Sequence, residues 1–315
     1  MGYMDELKKW LEETDYKEFE LKIASQDASF RKYYRLQKGD ETYILMDASL
    51  EKESLTPFID VTKRLLHVGV RAPQIYLQDL QAGYLVIEDF GDEVYLYDLH
   101  TGDYEILYKK AIDEIIKMQE ADASGLPLYD KEFLHVEMEL MPTWYLEQLL
   151  PKKNLNAEDK ETLSVVFNAI SDVVLSQPQG IFVHRDFHSR NLLTTKEENV
   201  GIIDYQDAMS GSLTYDLVSL LRDVYIEFDD DEMYKLSLYF RDKKGIDVDD
   251  ITFIKWFDFM GMQRHIKILG VFSRLYIRDG KKNYLQDIPL TLRYLFDTSR
   301  KYDETKELTR LLKKL

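Results

Sequence analysis

The stretch Phe182–Leu193, FVHRDFHSRNLL, constrains this chain more than any other. It packs two His, two Arg, an Asp and an Asn between apolar pairs. So many polar groups lack partners in an apolar core, so the segment must form a loop. Within it His184, Arg185, Asp186 and Asn191 make the pattern H-R-D-x-x-x-x-N, and VGIIDYQD follows with an apolar strand ending in Asp204. Phosphoryl transfer needs such a set: a carboxylate to orient the attacking hydroxyl and take its proton, and oxygen ligands to hold Mg²⁺ against nucleotide phosphates. Ordinary residue usage produces this spacing by chance in roughly one chain in a thousand at this length. The structural alternative is two polar turns around a hairpin, with Asp and Asn satisfying local backbone. The ordered arrival of both halves of the pattern favours chemistry.

Composition narrows the setting. The chain has 315 residues, 45% of them hydrophobic and 13% aromatic, enough for a large core in one bilobed domain or two close ones. A net charge of −17 repels a phosphate polymer, so no nucleic-acid partner is expected. There is no cysteine, which excludes disulfides, thiolate metal sites and a cysteine nucleophile. No apolar run approaches membrane-spanning length, and MGYMDELKKWLEETD reads as an amphipathic helix, not a signal peptide. A cytoplasmic location without membrane attachment is expected.

Along the chain, residues 19–24, 31–36 and 42–47 read as short strands, 51–68 as a helix, and PQIYLQD with GYLVIEDFG as a closing hairpin. Beyond residue 94 the pattern is mostly helical, with periodic segments at 103–121, 132–150, 156–176, 214–226 and 249–277. Strand-like pieces at 181–183, 191–194 and 200–203 flank the polar loop. The triplet 229–231 reads as a solvated acidic turn. The expected architecture is α+β: a small β-rich N-lobe over residues 1–90 and a larger, mostly helical C-lobe over 91–315.

These motifs resemble the protein-kinase-like fold, and within it the aminoglycoside phosphotransferase and choline kinase superfamily. The resemblance implies that Asp186 is the catalytic base, that Asn191 and Asp204 are metal ligands, and that Asp216 in TYDLVSLL ties the catalytic loop to the helix after it. His188 stands where protein kinases carry a lysine, as in small-molecule kinases. Only residues 205–215 separate Asp204 from Asp216, too few for a peptide-docking activation segment. Four further stretches, DASFRKYYRL, YILMDASLEKE, MELMPTWYLEQLL and MGMQRHIKILGVFSRLYIRDGK, are similar to the bacterial anomeric N-acetylmuramate/N-acetylglucosamine kinases of cell-wall recycling. That likeness implies ATP as co-substrate, Mg²⁺ as cofactor and a sugar as acceptor.

It also implies site residues. The nucleotide loop SQDASF offers Ser25, Asp27, Ser29 and Phe30, followed by Arg31. It has no glycine, and Met46 stands about where the superfamily has a phosphate-clamping lysine; Arg31, Lys32 and Arg35 are the nearby cations. Backbone of Glu88, Asp89 and Phe90 would meet the adenine edge. For the acceptor, Trp144 is a stacking face and Asp207 lies beside the metal ligand. Arg264 and His265 share a long apolar helix, where a charged Arg needs a partner, structural or ligand. Structural roles (core for Trp144, turn capping for Asp207, surface charge for the cations) stand as alternatives. Two rival functions remain: an aminoglycoside or other cationic acceptor, favoured by the acidic field, and a nucleotide-binding regulator without turnover.

Overall fold

Tyr34 and Leu36 on one strand, Leu45 on the next, and Tyr84 and Val86 on a third are buried together with Leu7 and Leu11. That period of two is what a sheet covered on one face requires. The computed structural model describes residues 3–25, 31–150, 155–197 and 199–314. The sheet is antiparallel with strand order β1-β2-β3-β5-β4, where β1 is Glu20–Ser25, β2 Lys32–Lys38, β3 Glu41–Asp47, β4 Ile75–Asp79 and β5 Tyr84–Glu88. The expected strands match these within one or two residues.

Helix α1 (Tyr3–Glu12) lays Leu7, Trp10 and Leu11 on the sheet. The Trp10 indole N–H donates to Asp79 Oδ2 at 2.9 Å, and its ring centre is 4.8 Å from that of Tyr84. Each fully buried leucine there contributes roughly 1.5–3 kcal/mol. Helix α2 (Leu55–His67) buries Leu55, Phe58, Ile59, Thr62 and Leu65 at helical spacing. Phe58 stacks on Tyr205 at 5.1 Å, and the Thr62 and Tyr205 hydroxyls hydrogen-bond at 2.8 Å. Tyr205 belongs to the segment Leu193–Asp207, which forms one compact unit with Met1–Glu93. That segment carries the hairpin of β7 (Leu192–Thr194) and β8 (Val200–Ile202), and Ile202 N–H donates to Arg71 O at 2.9 Å. Met46, on β3, is a core residue at 1% exposure.

The second unit, Val94–Leu192 with Ala208–Leu315, is mostly helical. Its helices are α3 (Tyr95–Thr101), α4 (Tyr104–Met118), α5 (Lys131–Met138), α6 (Ala157–Ser176), α7 (Tyr215–Leu221), α8 (Asp230–Lys244), α9 (Asp250–Asp279), α10 (Ile288–Ser299) and α11 (Lys306–Leu312). The short strands β6 (Ile181–Val183) and β9 (Met209–Gly211) pair antiparallel. Helix α9, at 30 residues, runs through the middle, with neighbours on nearly every side.

Three expectations need correction. Residues 132–150 are not one helix: α5 ends at Met138 and a π-helical stretch, Met141–Leu149, follows, with Pro142 near its start. Proline removes one N–H from the ladder, and the chain resumes in wider turns. The acidic triplet is the start of α8 rather than a turn. Asp229 accepts from the N–H groups of Asp231 and Glu232, placing acids where the helix dipole favours them. Helices α10 and α11 were not anticipated.

The junction at Leu140 depends on Gly270 of α9. A Cβ there would lie 2.3 Å from the Leu140 carbonyl carbon and 2.6 Å from its oxygen. Alanine is the better helix former by about 1 kcal/mol, but overpacking against backbone costs roughly 1–3 kcal/mol or more. Gly270→Ala should therefore lower stability in urea unfolding; an equal or raised midpoint would show that the π-helical stretch yields freely.

Candidate active site

Arg185 has φ of +80° and Asp204 has φ of +64°, the only non-glycine residues with positive φ among those described. Such conformations cost of order 1–3 kcal/mol each and persist only where surroundings over-determine them. For Arg185 the determinant is Asp216 at the first turn of α7, which is fully buried. Its two oxygens accept the N–H groups of His184 at 2.8 Å and Arg185 at 3.0 Å. Burial raises the Asp216 carboxyl to about 6, against the lowering effect of His184 and those two backbone donors. The expected tie between catalytic loop and following helix is thus present.

The rest of the loop is held as firmly. His184 Nδ1 accepts the Asp186 N–H at 3.2 Å, and Asn191 Nδ2 donates to the Asp186 carbonyl at 3.0 Å. Asp223, at 2% exposure, accepts from Ser189 through N–H at 2.9 Å and hydroxyl at 2.5 Å, and from Tyr225 N–H at 3.0 Å. The edge of His188 meets Tyr225 with ring centres 5.1 Å apart, and the Arg190 guanidinium lies 3.5 Å from the Tyr225 ring centre.

Beneath the loop, buried Glu137 receives Arg185 Nη2 at 2.7 Å and Lys267 Nζ at 3.0 Å, together with the hydroxyl of Tyr129. Burial alone would raise the Glu137 carboxyl; Lys267 and Arg185 outweigh it and hold it ionised. Asp186 is half-buried. Desolvation pushes its carboxyl up, but Lys267, His188, Arg264 and Arg185 together bring it below the usual range. It is a carboxylate at neutral pH, the form a proton acceptor needs. Asp223, Glu137 and Lys267 were missed in the sequence. Lys267 had a signal: it follows Arg264 by one helical turn on the same apolar helix.

Arg264 is 4% exposed, its Nη1 has no hydrogen-bond partner, and it forms no ion pair with any described residue. Its field nevertheless reaches Asp186 and Tyr225. His265, its neighbour, is a core residue instead. It stacks on Tyr294 at 5.2 Å and its Nε2 lies 3.2 Å from the Arg222 carbonyl; burial depresses the imidazole to about 3, so it stays neutral. Trp144 is half-buried on the π-helical stretch.

In the first unit, Asp204 Oδ1 accepts from Gln206 Nε2 at 3.0 Å, and Asp207 is exposed beside it. Asp27, Ser29 and Phe30 lie outside the described residues, and Ser25 is the last residue of β1. Arg31 is 8% exposed with its Nε unpartnered among the described residues. Arg35 is committed: it grips Asp89 at 2.6 and 3.0 Å and Asp92 at 2.7 and 2.8 Å, which removes it as a phosphate clamp. The connector is equally tied. Glu88 binds Arg71 bidentately at 2.5 and 2.6 Å and gives its N–H to Gln74 O. The Phe90 ring covers Gly201, where a Cβ would meet it at 2.6 Å, and Arg71 lies 4.8 Å from the ring centre. A cleft of about 260 Å³ borders this connector, but its Arg71 and Glu88 already satisfy each other. Among the described residues no three or more His, Asp or Glu are grouped to hold a metal.

A family profile described as "Phosphotransferase enzyme family" matches residues 20–239. The chain is 38% identical over 302 residues to an N-acetylmuramate/N-acetylglucosamine kinase of Pseudomonas aeruginosa, covering 94% of this chain and 88% of that one. It is 37% identical over 322 residues to a protein of the same name from Neisseria meningitidis, covering 98% and 95%. Among solved structures, choline kinase LicA from Streptococcus pneumoniae superposes with a TM-score of 0.66 at 14% identity, over 94% of this chain and 100% of that one. An ADP-bound aminoglycoside phosphotransferase, APH(2'')-Ib, gives 0.65 at 15%, over 93% and 98%. At such identities the likeness is one of fold.

Removing the Asp216 carboxylate leaves two buried N–H groups without acceptors, at about 1–3 kcal/mol each. Asp216→Ala should lower unfolding free energy by about 2–5 kcal/mol and abolish turnover, whereas Asp216→Asn, keeping one acceptor oxygen, should fall between. Denaturant unfolding paired with activity measures both, and an Ala variant of wild-type stability would remove Asp216 from its role.

Proposed function

Because this chain belongs to the phosphotransferase enzyme family, we propose that it is an ATP- and Mg²⁺-dependent sugar kinase. Its acceptor is the anomeric hydroxyl of N-acetylmuramate and N-acetylglucosamine. The observation that carries the acceptor is Arg264: a buried cation without a protein partner, whose field reaches the loop carboxylate. The two sugars in the relatives' name differ in charge, and a carboxylate entering a dry pocket needs a fixed cation. A cationic acceptor would be repelled by Arg264, which disfavours the aminoglycoside alternative.

In this reading Asp186 accepts a hydrogen bond from the sugar hydroxyl and takes its proton as that oxygen bonds to the γ-phosphorus of ATP and ADP leaves. Lys267 and Arg185 keep Asp186 ionised. His188, beside the base, faces the transferred phosphoryl, and half-buried Trp144 offers a face to the sugar ring. Asn191 and Asp204 supply oxygen ligands of the hard type Mg²⁺ prefers. Asn191 commits its amide nitrogen to the Asp186 carbonyl, so its oxygen is the atom able to ligate. Two such protein ligands fit an ion whose remaining positions belong to water and phosphate, and the bound ion neutralises charge on the phosphates. Arg31 is the remaining buried candidate for the phosphate clamp, and backbone of the 88–90 connector for the adenine edge. An enzyme that consumes ATP and carries a net charge of −17 works in the cytoplasm, away from nucleic acid.

Asp186→Asn should reduce kcat by about 10²–10⁴-fold while leaving the KM for ATP near its wild-type value. Retention of more than about a tenth of activity would show that the base lies elsewhere. Arg264→Ala should depress kcat/KM for N-acetylmuramate about tenfold or more relative to N-acetylglucosamine, without lowering Tm, since no protein contact is lost. Parallel losses on both sugars with a lower Tm would make Arg264 a structural residue.

A further inference from the structure

Asp287 ends a short 3₁₀ turn, Lys282–Asp287, and occupies the position that would cap α10, yet its side chain caps nothing. An aspartate there ordinarily accepts from the second or third N–H of the helix. Here Pro289 occupies the second position and has no N–H, so one of those donors is missing. The side chain is 9% exposed, its Oδ2 has no hydrogen-bond partner, and it forms no ion pair with any described residue. A buried carboxylate oxygen left in that state is expensive, and native structures keep few of them without a use.

Its surroundings indicate the use. Burial raises the carboxyl, with Arg190 opposing and Asp223 adding to the effect, so these are the charges that Asp287 faces. Asp223 holds Ser189, and Arg190 stacks on Tyr225, whose ring meets the edge of His188. Asp287 therefore stands against residues 188–190 of the catalytic loop. Arg190 is four residues beyond Asp186, so their Cα atoms are at most about 14 Å apart. The field of Arg264 reaches both Asp186 and Tyr225. A buried donor without an acceptor and a buried acceptor without a donor thus border the same loop and do not satisfy each other.

We propose that Asp287 is a second acceptor-binding residue, taking a hydrogen bond from a hydroxyl or amide N–H of the sugar while Arg264 takes the carboxylate. The proposal rests on the sugar-kinase reading above. Hydroxyl and amide groups are common to both sugars and the carboxylate to one, so the two residues divide recognition: Asp287 reads the saccharide and Arg264 its charge.

Asp287→Ala tests this in the full-length protein. KM should rise about tenfold or more for both N-acetylglucosamine and N-acetylmuramate, kcat should change less than KM, and KM for ATP should hold. The sugar-free protein should melt at the wild-type temperature or higher, because no protein contact is lost, while the Tm increase given by saturating N-acetylglucosamine should disappear. Asp287→Asn, which retains a carbonyl acceptor, should recover part of the loss. Unchanged KM for both sugars, or a lower Tm without a sugar-specific defect, overturns the assignment. If wild-type protein neither phosphorylates nor is stabilised by either sugar, the sugar-kinase reading falls and this one with it; wild-type turnover with an indifferent variant removes Asp287 alone.

Discussion

One carboxylate sets the geometry on which the chemistry depends. Asp216 enters the core from the start of α7 and takes the N–H groups of two consecutive loop residues. Without that acceptor Arg185 has no reason to hold φ of +80°, and Asp186, the next residue, would point elsewhere. The arrangement opposes stability. Because the Asp216 pKa is raised, ionisation weakens the fold as pH climbs from the ordinary carboxylate range through about 6. A core built for stability alone would place an apolar residue there. The strained loop and the buried charge are consistent with a site that gives up stability for positioning.

Charge satisfaction separates structural from functional groups in the helical unit. Glu137, Lys267 and Arg185 are buried, but each has its partners, and together they form a floor that sets the field at Asp186. Asp258 is buried too, and takes the hydroxyls of Tyr234 and Tyr302 at 2.8 Å each. Arg264 and Asp287 break this pattern. Completed networks support a fold, while isolated buried donors and acceptors near a reactive loop await a ligand.

The first unit shows the same economy in its connector. Arg71 ties Glu88 and lies over Phe90, Phe90 covers Gly201, and the Arg71 carbonyl receives Ile202. Tyr205, next to Asp204, is clasped by Phe58 and Thr62 of α2. The side chains at 88–90 are largely used in packing, so any nucleotide contact there falls to backbone. That suits a base edge, which needs donors and acceptors at fixed positions more than side-chain variety.

Much of this was legible in one dimension. The H-R-D-x-x-x-x-N spacing, the strand ending in Asp204 and the acid at 216 are local patterns, and local patterns survive without knowledge of the fold. Strand alternation and the long helix at 249–277 were readable for the same reason, since periodicity is set by backbone geometry alone. The start of α8 was also written in the sequence, as Asp229 before buried Met233, Leu236, Ser237 and Phe240, but was taken for surface charge. What residues far apart in the chain do to one another was not readable. Arg35 and Arg31 are alike in sequence, yet Asp89 and Asp92 occupy the first and not the second. His265 and Arg264 are adjacent, yet helical rotation stacks one on Tyr294 and leaves the other without a protein partner. The sequence alone thus determined which chemical groups the protein carries and how its elements repeat. Only the tertiary structure decided which charges are neutralised and which are left for a ligand, because pairing depends on distances that folding creates between residues tens to hundreds of positions apart.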